Sequence, residues 1–235
     1  MNTNCLYLRH RFPAEIISHC VWLYYRFALS YRDVEELMSE RGVTVTYETI
    51  REWCQKFGRV YAKRLKRQAA RPGDQWFLDE VFVKIQGKRQ YLWRAVDQDG
   101  EVLDILVQSR RNKKAAKRFF RKLLKSCCYV PRSITTDKLK SYAAAKEDVM
   151  PSVKHWQDKG LNNRAENSHQ PTRERERRMR GFKSAKHTQQ FLAIFNVIGP
   201  FFRVGRHLLQ AKNYRELMRR RFCDWREVVV LPAAA

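Results

Sequence analysis

The sequence changes its hydrophobic period once, at the turn-forming segment Arg-Pro-Gly-Asp of residues 71–74. Before this segment, residues 14–70 place apolar side chains three and four positions apart, which is the spacing of helices. After it, three stretches rich in Trp, Phe, Val, Tyr and Leu are joined by short links that contain glycine, a pattern typical of hairpin strands. The change predicts an all-helical first region, a domain boundary at this turn, and a second region built on a sheet.

Capping patterns in the first region predict two helices separated by a short turn. Ser30 followed by Asp33 is a variant of the capping box, and Gly42 suits the position just past a helix end. Thr46 is a suitable N-cap for the next helix. This pattern is typical of helix-turn-helix DNA-binding motifs, although an ordinary helical hairpin shares it. For a DNA-binding motif, the contacts are expected from the second helix at Tyr47, Arg51, Gln55 and Lys56.

The second region has the element order βββαβαβα. Strands are predicted over 75–85, 89–97, 101–108, 130–136 and 149–156, and helices over 112–126, 138–146 and 163–180. That order is the ribonuclease-H-like arrangement, an α/β fold whose mixed sheet is flanked by helices. Pro171 is expected to kink or interrupt the helix over 163–180. Residues 186–221 are predicted to be helical with a break at Gly199-Pro200, and residues 231–235 are expected to fray.

These elements divide the chain into four parts. They are an N-terminal tail (1–13), an all-α helix-turn-helix region (14–71), a ribonuclease-H-like domain (74–185), and a C-terminal helical segment with a tail (186–235).

The charge of the chain indicates its partner. There are 48 Lys and Arg against 24 Asp and Glu, a formal net charge of +24 over 235 residues. The basic residues concentrate in clusters at 56–71, 110–125 and 164–186. Any one cluster is also explained as the solvated face of an amphipathic helix, but three in one chain favour a nucleic acid as the partner.

Other classes of function lack support in the sequence. The six cysteines form no C-x-x-C pair, which argues against a zinc site and a disulfide framework and favours reduced thiols in a cytoplasm. Neither a bilayer-spanning apolar run nor a secretory signal is found, so no membrane partner is expected. The chain also has no glycine-rich phosphate loop and no G-x-S-x-G motif.

Three acidic residues occupy places where a carboxylate needs an explanation. Asp79 lies within an apolar strand, Asp137 ends the fourth strand, and Glu166 lies in the first turns of a helix. Taken singly, they are explained as a strand salt bridge, a helix cap and a favourable charge at a helix N-terminus. Taken together, the predicted fold places them at one end of one sheet, where carboxylates can hold Mg²⁺ for phosphoryl chemistry.

Several strings of the sequence resemble the DDE-type transposases of bacterial insertion sequences, in particular the cointegrate-forming family six group. They lie at 9–13, 30–37, 76–83, 91–97, 136–138, 162–167 and 178–184, and include the strings WFLDEVFV and NNRAEN. The resemblance covers the chain from about residue 9 to the region of residue 201. One departure is a short separation between Asp137 and Glu166, which we interpret as a shorter link between the fourth strand and the last helix.

The resemblance implies a function and a set of site residues. Asp79, Asp137 and Glu166 would be the catalytic DDE triad and would hold two Mg²⁺ ions, for which Mn²⁺ would substitute. The helix-turn-helix would bind the terminal inverted repeats of the element, and a homodimer or higher multimer would bring the two DNA ends together. Cleavage would free 3′-OH ends, which would then attack target DNA. The protein would act in the bacterial cytoplasm, associated with the nucleoid through DNA.

Phosphate contacts near the triad are expected from nearby basic residues, namely Lys138, Lys159, Arg164 and Lys183. Two other functions remain open at this point. A non-catalytic helix-turn-helix regulator with a dimerising second domain explains the charge but does not need the three acids. A structure-selective nuclease of the same fold explains the acids but not a motif that recognises one DNA end.

Overall fold

The computed structural model of the chain describes residues 5–69, 71–158 and 160–230. It divides into two compact units. The first contains the residues up to Ala69 together with those from Ile194 onward, and the second contains the residues between them. The sequence predicts a separate segment from residue 186, whereas the structure groups most of that segment with the N-terminal helices. Residues 231–235, which are expected to fray, lie outside the described part.

The first unit is all-helical. It contains α1 (Ala14–Arg26), α2 (Tyr31–Glu40), α3 (Tyr47–Gln68), the last part of α8 (Ala185–Phe202) and α9 (Ala211–Val230). The predicted caps are confirmed: Ser30 and Asp33 form a reciprocal capping box, and the Thr46 side chain accepts from the backbone N–H of Thr49. Gly42 has a φ of 74°, the left-handed conformation that suits glycine just past a helix end.

The C-terminal end of α9 is capped by side chains from elsewhere in this unit. The last carbonyls of a helix have no partner within the helix. The Arg64 guanidinium on α3 donates to the Val228 carbonyl at 2.5 Å, and the Tyr7 hydroxyl donates to the Val229 carbonyl at 3.1 Å. Tyr7 also hydrogen-bonds the Tyr61 hydroxyl at 2.6 Å. The predicted N-terminal tail therefore includes a short helical turn, Cys5–Tyr7, whose last residue is buried in the core of the unit.

The second unit is built on a five-stranded mixed sheet. Its strands are β1 (Gln75–Ile85), β2 (Lys88–Asp97), β3 (Val102–Gln108), β4 (Ser133–Thr136) and β5 (Lys154–Gln157), in the spatial order β3-β2-β1-β4-β5. The first three strands pair antiparallel, while β4 is parallel to both β1 and β5. The helices are α4 (Lys113–Cys127), α5 (Lys140–Val149), α6 (Asn163–Ser168), α7 (Gln170–Arg178) and the start of α8. This is the predicted ribonuclease-H-like arrangement.

Large aromatic side chains fill the core between the sheet and the helices α4 and α5. Trp93 on β2 packs edge-on against Tyr142 of α5, with ring centroids 5.3 Å apart, and Phe119 and Phe120 of α4 complete the layer. All four side chains are fully buried. Burial of each contributes about 2–3 kcal/mol relative to exposure, so this layer fixes the helices on the sheet.

The interruption predicted for the helix over 163–180 is confirmed: α6 ends at Ser168, and Pro171 lies in the first turn of α7, as expected for a residue without a backbone N–H. Other elements differ from the prediction. Strand β5 is shorter than predicted because Pro151 lies in a turn. The break predicted at Gly199-Pro200 is wrong, since α8 continues to Phe202. Pro200 removes one hydrogen bond near the helix end, and the fully buried Phe202 holds the last turn in place.

No helix in the described ranges is both long enough and apolar enough to cross a membrane.

Candidate active site

Two acidic residues meet where β1 and β4 lie side by side. Leu78 of β1 pairs with Thr136 of β4 in a parallel register, and Asp79 and Asp137 are the next residue on each strand path. Oxygens of Asp79, Asp137 and the neighbouring Glu80 all lie within 4.8 Å of one another. The structure therefore brings together two of the three predicted acids and adds a third acid.

Glu80 is the most perturbed member of this carboxylate cluster. Its side chain is only 2% exposed, and its nearest cation is the Arg111 guanidinium at 3.6 Å. Burial, together with the negative charges of Asp137 and Asp79, raises the pKa of Glu80 to about 7, against the opposing effects of the Tyr142 hydroxyl and Arg111. The polar groups that face the Glu80 carboxylate are thus the Tyr142 hydroxyl and the Arg111 guanidinium, together with the two aspartates.

Asp137 is held by the backbone that follows it. Its carboxylate accepts a hydrogen bond from the Leu139 N–H at 3.0 Å. Burial raises the pKa of Asp137, the Leu139 hydrogen bond opposes the shift, and the nearby charge of Asp79 adds to it. A divalent cation would reverse this balance because it stabilises the ionised form of every carboxylate around it.

Asp79 lies beside a buried polar network. Arg94 stands opposite Asp79 on β2 and is 1% exposed. Its guanidinium donates to the Ser168 carbonyl and, at 2.5 Å, to the Thr172 hydroxyl. Burial lowers the pKa of Arg94 to about 10, which leaves the group charged at neutral pH. Arg94 thus joins the sheet next to Asp79 to the junction between α6 and α7.

His169 is the second contact of Asp79. Its Nε2 lies 3.4 Å from Asp79 Oδ2, and the residue is 1% exposed. Burial lowers the pKa of His169 to about 4, although the nearby Asp79 carboxylate opposes the shift. The imidazole is therefore neutral at neutral pH, and its approach to Asp79 is a polar contact rather than an ion pair.

Glu166 lies on the exposed side of α6 and is not among the described acids of the carboxylate cluster. The helix that carries it is nevertheless fixed to the sheet at both ends. The Asn162 side chain donates to the Leu78 carbonyl at 2.9 Å before the helix, and Arg94 binds Ser168 at its end. Leu78 precedes Asp79 on β1, and Arg94 stands opposite Asp79 on β2. The backbone of Glu166 is thereby held on the same side of the sheet as Asp79.

The predicted DNA-binding residues of the first unit lie along α3. Arg51, Gln55 and Lys56 are exposed. Tyr47 is half-buried, with the Arg32 guanidinium 4.9 Å above its ring. Lys56 shares a hydrogen bond with His10 Nε2 at 2.8 Å. Three of the four residues are thus exposed at the surface of this unit.

The predicted phosphate contacts of the second unit differ in how far they are engaged. Lys138 and Lys183 are exposed. Arg164 donates to the Gln98 carbonyl and lies 5.5 Å from the centre of the Phe77 ring, so its guanidinium already binds within the unit. Lys159 lies outside the described residues.

Comparison with protein families identifies the family of the chain. Residues 73–204, more than half of the chain, match the family model described as a DDE domain. The chain belongs to this family. Over 234 residues the transposase is 30% identical to the transposase for insertion sequence-like element IS431mec of Staphylococcus aureus, which covers 97% of this chain and 99% of the relative. The transposase for insertion sequence element IS257 in transposon Tn4003, also from Staphylococcus aureus, has the same identity and coverage.

Among solved structures, the transposase is similar to the HTLV-2 integrase catalytic core domain in complex with magnesium. It is 16% identical with a TM-score of 0.42, and the match covers 55% of this chain and 86% of that chain.

Sequence reasoning did not identify Glu80, Arg94 or His169 as parts of the site. Successive strand residues point to opposite faces of a sheet, so strand alternation does not predict that Asp79 and Glu80 share one cluster. The available signal was two adjacent acids inside an apolar strand. Arg94 is a cation among the apolar residues of β2. Because buried charges are usually paired, a cation in this position indicates a buried polar partner.

Proposed function

We propose that this transposase binds the terminal inverted repeats of its element as duplex DNA, cleaves a phosphodiester at each end, and transfers the freed 3′-OH to target DNA. Asp79, Asp137 and Glu166 are the proposed catalytic carboxylates, and they would hold two Mg²⁺ ions, for which Mn²⁺ would substitute. The observation that carries the proposal is the convergence of Asp79 and Asp137 from adjacent parallel strands.

The residues present fit magnesium. Mg²⁺ prefers oxygen ligands and usually takes only one or two carboxylates, leaving positions for water and phosphate oxygens. The carboxylate cluster offers one oxygen from each of three side chains, all within 4.8 Å of one another. When bound, two such ions stabilise the attacking and leaving oxygens of an in-line displacement at phosphorus.

The chain itself contributes position and charge. His169 lies 3.4 Å from the Asp79 carboxylate and Arg94 stands opposite it on β2, while the Leu139 N–H binds the Asp137 carboxylate. Glu166 would approach from α6, whose two ends are bound to the strands around Asp79. Arg111 places a cation beside Glu80, at the edge where a DNA phosphate would approach. Preorganised charge of this kind lowers the barrier without reorganisation during the reaction.

Recognition of the DNA ends is proposed for the helix-turn-helix of the first unit. Arg51 and Gln55 are exposed on α3, and side chains of these types read guanine and adenine edges in the major groove. Tyr47 and Lys56 would add contacts on the same helix, and Lys138 and Lys183 would bind phosphates near the carboxylates. Two or more copies would synapse the ends in a cytoplasmic, nucleoid-associated complex.

Substitution of the carboxylates tests the chemistry. Asp79→Asn and Asp137→Asn are expected to bind end-containing duplexes as the wild type does but to lose cleavage and strand transfer, because each removes a ligand charge. Glu166→Gln is expected to do the same. Asp99→Asn, which changes an exposed acid of a hairpin turn in the same unit, is the matched control and should retain activity. Full transposition by the Asp79 variant would leave a non-catalytic DNA-binding role as the better explanation.

Substitution on α3 tests the recognition. Arg51→Ala and Gln55→Ala are each expected to reduce the preference for inverted-repeat DNA over a scrambled duplex by about 1–3 kcal/mol. Equal weakening on both duplexes would show that α3 does not read the sequence.

A further inference from the structure

An open groove of about 1110 Å³ lies in the second unit, between α4 and the adjoining ends of β2 and β3. Its lining is strongly basic, with one acid, Asp148, against six cations: Arg110, Lys113, Lys114, Lys117, Arg118 and Arg121. The acid is itself neutralised, because Lys113 and Lys117 bind it at 2.9 and 3.1 Å. The groove therefore carries an uncompensated positive charge.

The charge follows from how α4 packs. The apolar residues of this helix, among them Phe119 and Phe120, face the core. Lys114, Arg118 and Arg121 are spaced four and three residues apart, which places them together on the opposite face. All three are exposed, and no acid of the described ranges lies within ion-pair distance of them. Nothing within the described unit offsets these three charges.

One end of the groove adjoins the carboxylate cluster. Arg110 and Asn112 line the groove, and Arg111 between them turns to Glu80, where its guanidinium lies 3.6 Å from the carboxylate. A polyanion lying in the groove would thus be led past Arg111 to the carboxylates.

We propose that this groove binds the sugar-phosphate backbone of duplex DNA, independently of its sequence, and guides it to the carboxylate cluster. The inference rests on the proposed function, because it takes DNA as the substrate. Lys114 and Arg121 are seven residues apart, about 10 Å along the helix, which spans roughly three phosphates of one strand. Contacts to phosphates position DNA but carry no sequence information. A second copy of the same face would be repelled by its own charge.

Salt-dependent binding of the full chain tests the groove. The variant K114Q/R118Q/R121Q removes the three uncompensated charges, and an end-containing duplex and a scrambled duplex of equal length are the probes. Each lost phosphate contact reduces the slope of log K against log salt by about 0.9. When salt rises from about 50 to 200 mM, the factor by which affinity falls is expected to be about 40 times larger for the wild type than for the variant. This difference should be the same for the end-containing and the scrambled duplex.

A charge-matched variant controls for net charge. K88Q/K125Q/K154Q removes three exposed cations of the same unit that do not line the groove, and it should retain the wild-type salt slope. Equal slopes for the two triple variants would overturn the proposal. A change confined to the end-containing duplex would overturn it too, since the groove would then read sequence.

Asp79→Asn separates this inference from the proposed chemistry. If the groove is wrong but the chemistry is right, Asp79→Asn abolishes cleavage while K114Q/R118Q/R121Q leaves the salt slope unchanged. If Asp79→Asn still cleaves while the groove variant flattens the slope, the groove stands and the assigned carboxylates do not.

Discussion

The carboxyl group of Glu80 allows the electrostatics of the site to be tested through stability, with the substitution Glu80→Gln. Burial raises the pKa of Glu80 from 4.5 to about 7 in the folded chain. Between these values the folded chain keeps a proton that the unfolded chain has released, so this group lowers the stability of the wild type as pH rises. Above about pH 7 both states are ionised, and the full cost of about 3 kcal/mol remains.

Glutamine keeps the size of the side chain but cannot ionise. In metal-free protein with a chelator present, Glu80→Gln is expected to match the wild type near pH 4.5 and to exceed it by about 3 kcal/mol near pH 8.5. The free energy of unfolding from urea titration at both pH values measures this difference.

An exposed acid of the same unit provides the control. Glu174→Gln on α7 is expected to change stability by less than about 0.5 kcal/mol at either pH, because solvent screens an exposed charge. If Glu80→Gln gives no gain near pH 8.5, or the same gain at both pH values, the carboxyl group does not bear the proposed burial cost.

Other features of the site give further predictions. Because burial lowers the pKa of His169 from 6.5 to about 4, the stability of the wild type relative to His169→Gln is expected to fall by about 3 kcal/mol as pH falls through this window, as measured by urea titrations of both proteins across it. Arg94→Met is expected to lower the free energy of unfolding by about 3–5 kcal/mol, because Asp79 stays buried without its opposing cation; a loss below about 1 kcal/mol in urea titration would contradict the network. Mg²⁺ is expected to raise the melting temperature more near pH 8 than near pH 6, since the ligand carboxyls must release protons, and to lose this effect in Asp79→Asn. Ser30→Ala is expected to cost about 1 kcal/mol in urea titration through the lost capping box, and an unchanged midpoint would contradict this.

Local signals explain why much of the fold was predictable. Some features depend only on residues a few positions apart and can therefore be predicted from the sequence. They are the helix caps at Ser30 and Thr46 and the hairpin link at Gly87. The interruption near Pro171 is also local, because proline has no backbone N–H with which to continue the helix. A tertiary contact accounts for the break that was wrongly predicted, since the buried Phe202 keeps α8 helical beyond Pro200.

The site was predictable only in part, for a similar reason. The proximity of Asp79 and Asp137 follows from the element order, since it makes their strands parallel neighbours. The proximity of a Glu80 oxygen to Asp79 and Asp137 is a side-chain property that strand alternation does not indicate. The approach of His169 to Asp79 joins residues far apart in the chain, and no spacing rule applies to such a pair.

The shortness of α6 has a consequence for dynamics. A helix of six residues is well below the length at which helices hold themselves together in water. The helix is held in place by hydrogen bonds to the sheet, one through Asn162 before its start and one from Arg94 to its end. Local unfolding of this segment would move Glu166 away while the strands stay folded. Amide hydrogen exchange over 163–168 is therefore expected to be faster than in β1. The chain would thus position or release one acid of the proposed triad at a small fraction of the free energy of global unfolding.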